Sequence, residues 1–142
     1  MYQQSNWDDA RKIEYNIKLH KELSDLYLLV CKLFVVAIQH NLRMIVENPY
    51  SVQHYLTNYF CLKPSIIDKD RRENGDYYKK PTQYWFVKCE PESNVVFEPM
   101  EITEDMRIEF VKGKNRKVMR SMIHPQYARR FILSYILEGI TE

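Results

Sequence analysis

Apolar residues recur at steps of three and four between Asp9 and Asn41, which is the spacing of one face of a helix. Asp8 or Asp9 can cap the start of this helix, and Asn41 is a suitable stop. The helix begins with a polar surface and becomes apolar almost all round after Leu26, as in a helix that packs against a sheet. We therefore predict a long N-terminal helix whose second half is buried.

Short apolar segments downstream of this helix predict three strands. The segment Arg43–Glu47 has a continuous apolar centre, which favours a parallel strand covered on both faces. Pro64–Asp68 predicts a second short strand, and the aromatic and β-branched segment Gln83–Cys89 predicts a third. Pro49 cannot continue a strand inside a sheet but suits the first turn of a helix, which we predict over Ser51–Phe60.

The last third of the chain predicts a hairpin and a helix. Polar and apolar positions alternate from Met106, break at Gly113 and resume to Arg120, as in an antiparallel β-hairpin. Pro125 then opens a final helix, Gln126–Leu137, which has an apolar face. With 142 residues and 45% hydrophobic content, the chain can form one compact core. The pattern as a whole predicts a single α/β domain.

The charge of the whole chain says little about its partners, because the net value is only +2. Eight cations against the single acid Glu109 nevertheless lie between residues 107 and 130, which gives a local net charge of +7. Such a segment can follow the phosphates of a nucleic acid, with binding that weakens steeply in salt. It can equally be a soluble hairpin whose lysines and arginines protect a sheet edge from aggregation.

The candidate contacts with nucleic acid or a protein partner are cations from three parts of the sequence. They are Arg71, Arg72, Lys79, Lys80, Lys112, Lys114, Arg116, Lys117, Arg120, Arg129 and Arg130. Tyr77–Lys80 and Tyr84–Phe86 mix aromatic residues with basic neighbours, as single-strand binders do. A tryptophan on a strand usually packs in the core, so we predict that Trp85 is buried.

Cysteines and histidines have no spacing that indicates a disulfide framework or a metal site. Cys31, Cys61 and Cys89 are odd in number and far apart, and we interpret each as a buried small residue. The charged segment Lys69–Asp76 interleaves cations with its acids, so we interpret it as a solvated turn rather than a cation site. No metal is predicted.

The sequence predicts neither a membrane span nor export. The most apolar stretch, Leu26–Ile38, is interrupted by Lys32 and falls short of the ~20 residues that cross a bilayer. The N-terminal residues lack the basic and apolar regions of a signal peptide. We therefore expect a cytoplasmic protein.

A carboxylate follows the first predicted strand, in the sequence Glu47-Asn48-Pro49-Tyr50. Open α/β sheets bind ligands at the carboxyl ends of their strands, so Glu47 is a candidate active-site residue. The same four residues also suit a simple turn that leads into a helix.

Four segments together resemble the second half of phage and mobile-element proteins related to the cytosine-C5 DNA methyltransferases. They are Val46–Tyr50, Asp68–Gly75, Lys80–Phe86 and Ser121–Ala128, and the resemblance spans about residues 11 to 137. Its motif residues are Glu47, Asn48, Pro49, Tyr50, Pro81, Thr82, Gln83 and Trp85. The resemblance implies a partial Rossmann-like methyltransferase sheet, with a long N-terminal helix, a C-terminal β-hairpin and a final helix. It also implies that Glu47 matches the residue that contacts a flipped-out cytosine.

Two departures from that family indicate that the chain is catalytically incomplete. The cofactor site of the family needs a glycine-rich turn after its first strand, whereas the three glycines here are Gly75, Gly113 and Gly139. The family's nucleophilic cysteine lies in a Pro-Cys pair, and this sequence contains no such pair. We therefore predict no S-adenosylmethionine site and no methyl transfer by the chain alone, which leaves Glu47 as a relic or half of a site.

The resemblance also predicts an exposed sheet edge, since the strand that precedes Arg43–Glu47 in the family is absent. A second copy, a complementing chain, an unrelated target or local refolding of Met1–Asp9 can cover such an edge. Two functions follow for the domain formed by residues 1–142. One is a DNA-binding, methyltransferase-like module of phage or mobile-element origin. The other is a stand-alone phage inhibitor, of the anti-CRISPR or anti-restriction type, that binds a nucleic-acid-binding effector protein in the bacterial host cytoplasm.

Overall fold

The chain forms two compact units, Met1–Leu42 and Arg43–Glu142. The computed structural model describes residues 6–92, 95–102 and 107–137. A long helix makes up most of the first unit, and the second unit contains a sheet and several short helices. The prediction of a single domain stays a prediction.

The first unit is the helix α1 (Asp9–Gln39), as the apolar spacing predicts. A carboxylate oxygen of Asp8 accepts a hydrogen bond from the backbone N–H of Arg11 at 2.8 Å, which caps the first turn. The helix ends before Asn41, which adopts a left-handed φ of 54°. Two ion pairs lie on its polar surface, each between residues one helical turn apart: Lys18 with Glu22 and Lys21 with Asp25. The predicted boundaries are therefore confirmed.

The second half of α1 exposes much of its apolar surface. Phe34 and Ala37 are buried, but seven large aliphatic residues are each 46–60% exposed: Leu26, Leu28, Leu29, Leu33, Val35, Val36 and Ile38. The prediction that this half is buried is wrong for these residues. The apolar residues occupy every side of the helix, so covering one stripe leaves the other sides in water.

The second unit is built on a three-stranded sheet with the order β1-β3-β2. Its strands are β1 (Met44–Pro49), β2 (Ile66–Asp68) and β3 (Thr82–Val87). Both pairings are antiparallel, so the prediction that β1 is a parallel strand is wrong. Its apolar residues are only partly buried, whereas a parallel strand is covered on both faces. The fold is mixed α/β with a small antiparallel sheet.

One face of the sheet is covered by α2 (Tyr55–Tyr59) and the residues that follow it. Trp85 is 2% exposed, which confirms its prediction as a core residue. Its ring packs edge-on against Phe60, and its indole N–H donates to the carbonyl of Leu62 at 3.0 Å. The helix predicted over residues 51–60 is shorter because the Ser51 hydroxyl accepts a backbone hydrogen bond and forms a turn instead.

A short helix, α3 (Arg116–Ser121), replaces the second strand of the predicted C-terminal hairpin. The first predicted strand contains a 3-10 turn over Ile108–Phe110, and Met106 lies outside the described residues. The hairpin prediction is therefore wrong. Arginine, lysine and methionine are good helix formers, so the residues after Gly113 fit a helix at least as well as a strand.

The other face of the sheet packs against α4 (Pro125–Tyr135), which confirms the predicted final helix. Pro125 occupies its first turn, and the His124 side chain accepts a hydrogen bond from the Gln126 N–H at 3.0 Å. The Tyr84 ring lies 4.8 Å from that of Phe131, measured between centroids. This aromatic layer fixes α4 on the sheet.

Candidate nucleic-acid interface

An open cavity of about 510 Å³ lies beside the carboxyl end of β1. We call it the basic cleft. Its lining comes from β1 and the turn after it, the segment before β3, the 3-10 turn and α3: Pro49, Tyr50, Ser51, His54, Lys80, Pro81, Ile108, Lys117, Arg120 and Ser121. The cleft therefore joins part of the Glu47–Tyr50 motif to cations that are distant in sequence.

Hydrogen bonds to backbone carbonyls hold the walls of the basic cleft together. The N–H of Tyr50 donates to the carbonyl of Pro81 at 2.9 Å, which continues the β1–β3 pairing by one residue. The Lys80 ammonium donates to the carbonyl of Arg120 at 3.4 Å and so connects α3 to the segment before β3. Thr82 supports that segment, because its hydroxyl donates to the Lys80 carbonyl at 2.8 Å.

Gln83 links the floor of the basic cleft to the sheet. Its side-chain amide donates to the carbonyl of Pro49 at 3.1 Å and to the hydroxyl of Thr57 at 2.9 Å. Gln83 is 1% exposed, so leaving its side-chain amide without a partner is costly. The predicted motif residues Thr82 and Gln83 therefore position the cleft from the interior.

The lining of the basic cleft is cationic. It contains Lys80, Lys117 and Arg120 together with the imidazole of His54, and none of the described lining residues is acidic. Lys117 and Arg120 are exposed, and within the described residues neither forms an ion pair with a carboxylate. A concave surface lined by one sign of charge focuses its field and attracts anions.

The remaining predicted cations fall into three groups. Arg71 and Arg72 are paired with carboxylates, and Arg130 lies over the Phe97 ring and donates to the carbonyl of Glu98 at 2.9 Å. Four others are exposed outside the cleft: Lys112, Lys114, Arg116 and Arg129. Lys79 is half-buried and forms an isolated backbone bridge with Arg107. The structure thus brings three of the eleven candidate cations into one cavity.

The structure separates Glu47 from its motif neighbours. Pro49 and Tyr50 line the basic cleft, whereas Glu47 is exposed on β1 directly opposite Tyr84 and does not line that cavity. Asn48 is half-buried opposite Gln83. The role of Glu47 as a relic or half-site stays a prediction.

A second set of charged residues lies in the interior, between the charged turn and α4. We call it the buried polar network, and it consists of Asp68, Arg71, Asp76, Tyr84 and Tyr127. The Arg71 Nη2 atom is 2.7 Å from Asp76 Oδ2, and their side chains are 1% and 2% exposed. The prediction that this segment is a solvated turn is therefore wrong for these two residues, because they pair with each other out of contact with water.

Asp76 connects the charged turn to the start of α4. Its Oδ1 atom accepts hydrogen bonds from the backbone N–H groups of Tyr77 and His124, each at 2.9 Å. The Arg71 guanidinium also lies over the Tyr127 ring, 4.2 Å from its centroid. Removing the Asp76 carboxylate would therefore leave a buried guanidinium and two backbone donors without their acceptor.

The two tyrosines form a hydrogen-bonded chain that ends on Asp68. Tyr127 donates its single hydroxyl proton to Asp68 Oδ2 at 3.1 Å, so it accepts from Tyr84 at 2.7 Å. Burial raises the pKa of Asp68 above its usual value. Burial likewise raises the pKa of Tyr84 to about 12 and that of Tyr127 further above its ordinary value. Both hydroxyls therefore stay protonated well beyond neutral pH.

Several other predictions concern groups outside these two regions. Cys61 is exposed, so its interpretation as a buried residue is wrong, while Cys31 and Cys89 are half-buried. In residues 6–92, 95–102 and 107–137, no group of three or more His, Cys, Asp or Glu residues is placed to hold a metal ion. No helix in the same described residues is long and apolar enough to cross a membrane.

Sequence reasoning missed part of the basic cleft and most of the buried polar network. The sequence does not mark His54 as a binding residue, and the patterns that include Ile108 and Ser121 predict a hairpin strand and a family motif rather than a shared cavity. Tyr127 lies in a segment that the family resemblance includes, but its partner Asp68 is 59 residues earlier in the chain. Contacts of such separation leave no local pattern.

No protein-family model, curated protein or solved structure is significantly similar to this chain. The relation to the cytosine-C5 methyltransferases therefore stays a prediction from the motif residues, and a functional proposal rests on the geometry of the basic cleft.

Proposed function

We propose that this protein binds a nucleic acid chain through the basic cleft. The observation that carries the proposal is the convergence of Lys80, Lys117 and Arg120 on one cavity whose described lining contains no acid. Phosphates supply most of the affinity when a protein binds nucleic acid without sequence preference. Three cations, Lys80 before β3 and Lys117 and Arg120 on α3, match that requirement.

The shape and the uncharged lining of the basic cleft favour a single strand over a duplex. A cavity of about 510 Å³ is concave and has the size of small-ligand sites, so it accommodates one or two nucleotides of a flexible strand. Tyr50 and His54 offer rings against which a base can stack. The exposed cations on the segment before α3, including Lys112 and Lys114, can then follow the strand beyond the cleft.

We further propose that the chain is a catalytically incomplete, methyltransferase-like module. This part of the proposal is supported by the Glu47–Tyr50 motif and by the position of Pro49 and Tyr50 in the basic cleft. The sheet is antiparallel throughout its described strands, so it adds no support for a Rossmann-like arrangement. We retain the absence of an S-adenosylmethionine site and a location in a bacterial cytoplasm as proposals from the sequence.

A second candidate function is binding to a protein, as an inhibitor of a nucleic-acid-binding effector such as a host defence nuclease. The exposed aliphatic residues of α1 favour it, because soluble proteins rarely leave large contiguous apolar patches uncovered. This function predicts a stable protein complex and little affinity for free DNA.

The test compares two triple variants in binding to a fluorescent single-stranded oligonucleotide at low salt. Lys80→Ala/Lys117→Ala/Arg120→Ala removes the cations of the basic cleft. Because each phosphate contact contributes about tenfold at low salt, we expect affinity to fall by about 100-fold or more. The exposed Lys117 and Arg120 should each contribute less than about 0.5 kcal/mol to the change in the free energy of unfolding. Lys80→Ala should cost about 1 kcal/mol, because it also removes the hydrogen bond to the Arg120 carbonyl.

The matched control is Lys18→Ala/Lys21→Ala/Lys32→Ala, which removes the same charge from α1. Affinity should fall only slightly in this variant. Equal losses in both variants would contradict a specific role for the basic cleft. Absence of binding by the wild-type protein, combined with capture of one effector nuclease, would support the inhibitor function instead.

A further inference from the structure

Strand β1 lies at the edge of the sheet. The strand order β1-β3-β2 leaves one side of β1 without a neighbouring strand in the part of the chain that the structure describes. An edge strand presents backbone donors and acceptors on which another strand can pair. The residues of β1 show which strand fits best.

The hydrogen-bonding pattern identifies the backbone groups that point away from β3. The bond from the Tyr50 N–H to the Pro81 carbonyl makes these two residues a hydrogen-bonded pair. Hydrogen-bonded and non-bonded pairs alternate along an antiparallel ladder, so every second residue back from Tyr50 also bonds to β3. The residues between them, Ile45 and Glu47, therefore direct their N–H and C=O groups outward.

An independent contact on the other side of β3 agrees with this assignment. The carbonyl of Tyr84 accepts a hydrogen bond from the N–H of Ser65, which precedes β2. The backbone of Tyr84 therefore points toward β2 and away from β1. Glu47 is the residue opposite Tyr84, so its own backbone groups have no partner on β3.

The outward-facing residues are complementary to themselves. If two β1 strands pair antiparallel with Ile45 opposite Ile45, each Arg43 lies opposite Glu47 of the second copy. Opposite charges at directly paired positions stabilise a sheet, and like charges there destabilise it. Arg43, Ile45 and Glu47 are alternate residues of the same strand. In this register, all three form backbone hydrogen bonds with the second copy. Pro49, which has no N–H to donate, lies beyond the paired segment.

Apolar and charged side chains share the face on which the two strands would meet. Ile45 is opposite Phe86, whose ring packs against Tyr135 of α4, so the Ile45 side chain is on the α4 face. An open cavity of about 720 Å³ lies on this face, and its lining is part apolar and part charged: Arg43, Ile45, Lys88, Cys89, Glu90, Glu92, Tyr135 and Ile136. Two Ile45 side chains would meet at the centre, with an Arg43–Glu47 pair on either side.

We propose that two copies of this chain associate through β1, in an antiparallel register centred on Ile45, to form a continuous six-stranded sheet. The proposal is independent of nucleic acid binding. It commits to a second copy because the strand matches itself in backbone hydrogen bonding, in charge and in the position of its proline. A short pairing of this kind implies a dimer that dissociates on dilution.

The test measures mass in solution by sedimentation velocity over a wide range of concentration. The wild-type protein should shift from monomer to dimer as its concentration rises. Glu47→Arg places like charges together twice in each dimer and should weaken association by at least about tenfold. Arg43→Glu/Glu47→Arg exchanges the two charges and should restore association to within about threefold of wild type.

The control is Glu14→Arg, which makes the same change in net charge on α1 and should leave association unchanged. Circular dichroism shows whether each variant remains folded. A monomer at every concentration would overturn the proposal, as would a dimer that is insensitive to Glu47→Arg. Association that is lost in Glu47→Arg and not recovered in the folded charge-exchange variant would overturn the register.

Discussion

The buried polar network and the basic cleft use neighbouring cations in opposite ways. Arg71 and Lys80 lie nine positions apart in the sequence, and both are candidate contacts with nucleic acid. Arg71 is 1% exposed and is paired with Asp76 at 2.7 Å. Lys80 instead lines an open cavity with Lys117 and Arg120, and its ammonium donates to a backbone carbonyl.

The difference shows that the fate of a cation depends on its partner rather than on the local charge density. A guanidinium can be buried only when a carboxylate compensates it, and Asp76 does so for Arg71. Lys117 and Arg120 have no such partner among the described residues, so their charges remain available to an external anion. Mutations in the buried polar network should accordingly lower the free energy of unfolding, whereas mutations in the basic cleft should weaken binding.

The largest expected effect comes from breaking the buried ion pair. Asp76→Ala leaves the Arg71 guanidinium buried without its counter-charge, so we expect a loss of about 3–5 kcal/mol in the free energy of unfolding. Equilibrium unfolding in urea measures this value. Glu22→Ala breaks the exposed ion pair with Lys18 on α1 and should cost about 1 kcal/mol or less. Equal losses in the two variants would remove the distinction between them.

The next effect is a loss of stability at alkaline pH. Because the folded pKa of Tyr84 is about 12 against an ordinary value of 10, the folded state retains a proton that the unfolded state has released. The contribution of Tyr84 to the free energy of unfolding is therefore complete below pH 10. It declines by about 2–3 kcal/mol as the pH rises to 12.

Tyr84→Phe isolates that contribution, because other groups titrate in the same range. The variant should lose less stability between pH 10 and 12 than the wild-type protein when both are unfolded in urea. Tyr59→Phe changes an exposed tyrosine and should follow the wild-type curve. Superimposable curves for all three proteins would show that Tyr84 does not couple its ionisation to folding.

Local patterns predicted much of the fold. The periodicity of apolar residues located α1 and α4, and aromatic and β-branched residues located β3 with Trp85 in the core. These features depend on residues that are close in sequence. The pairing direction of β1 and the replacement of the hairpin by α3 depend on contacts between distant segments, and the predictions for both were wrong.

The candidate site was predictable to a smaller extent. Counting charges identified Lys80, Lys117 and Arg120 but gave them no priority over the other candidate cations. Distinguishing these three cations from Arg71 requires the position of the Asp76 side chain. Backbone N–H groups of Tyr77 and of His124, the residue before α4, fix that position. Burial and pairing of this kind are decided by tertiary structure.

The central claim is that the cations of the basic cleft contact phosphates, and the salt dependence of single-strand binding tests it most directly. Three phosphate contacts predict a slope of about −2 when the logarithm of the association constant is plotted against that of the salt concentration. In Lys80→Ala/Lys117→Ala/Arg120→Ala the slope should approach zero. An unchanged slope in that variant, or binding by the wild-type protein that is independent of salt, would contradict the account.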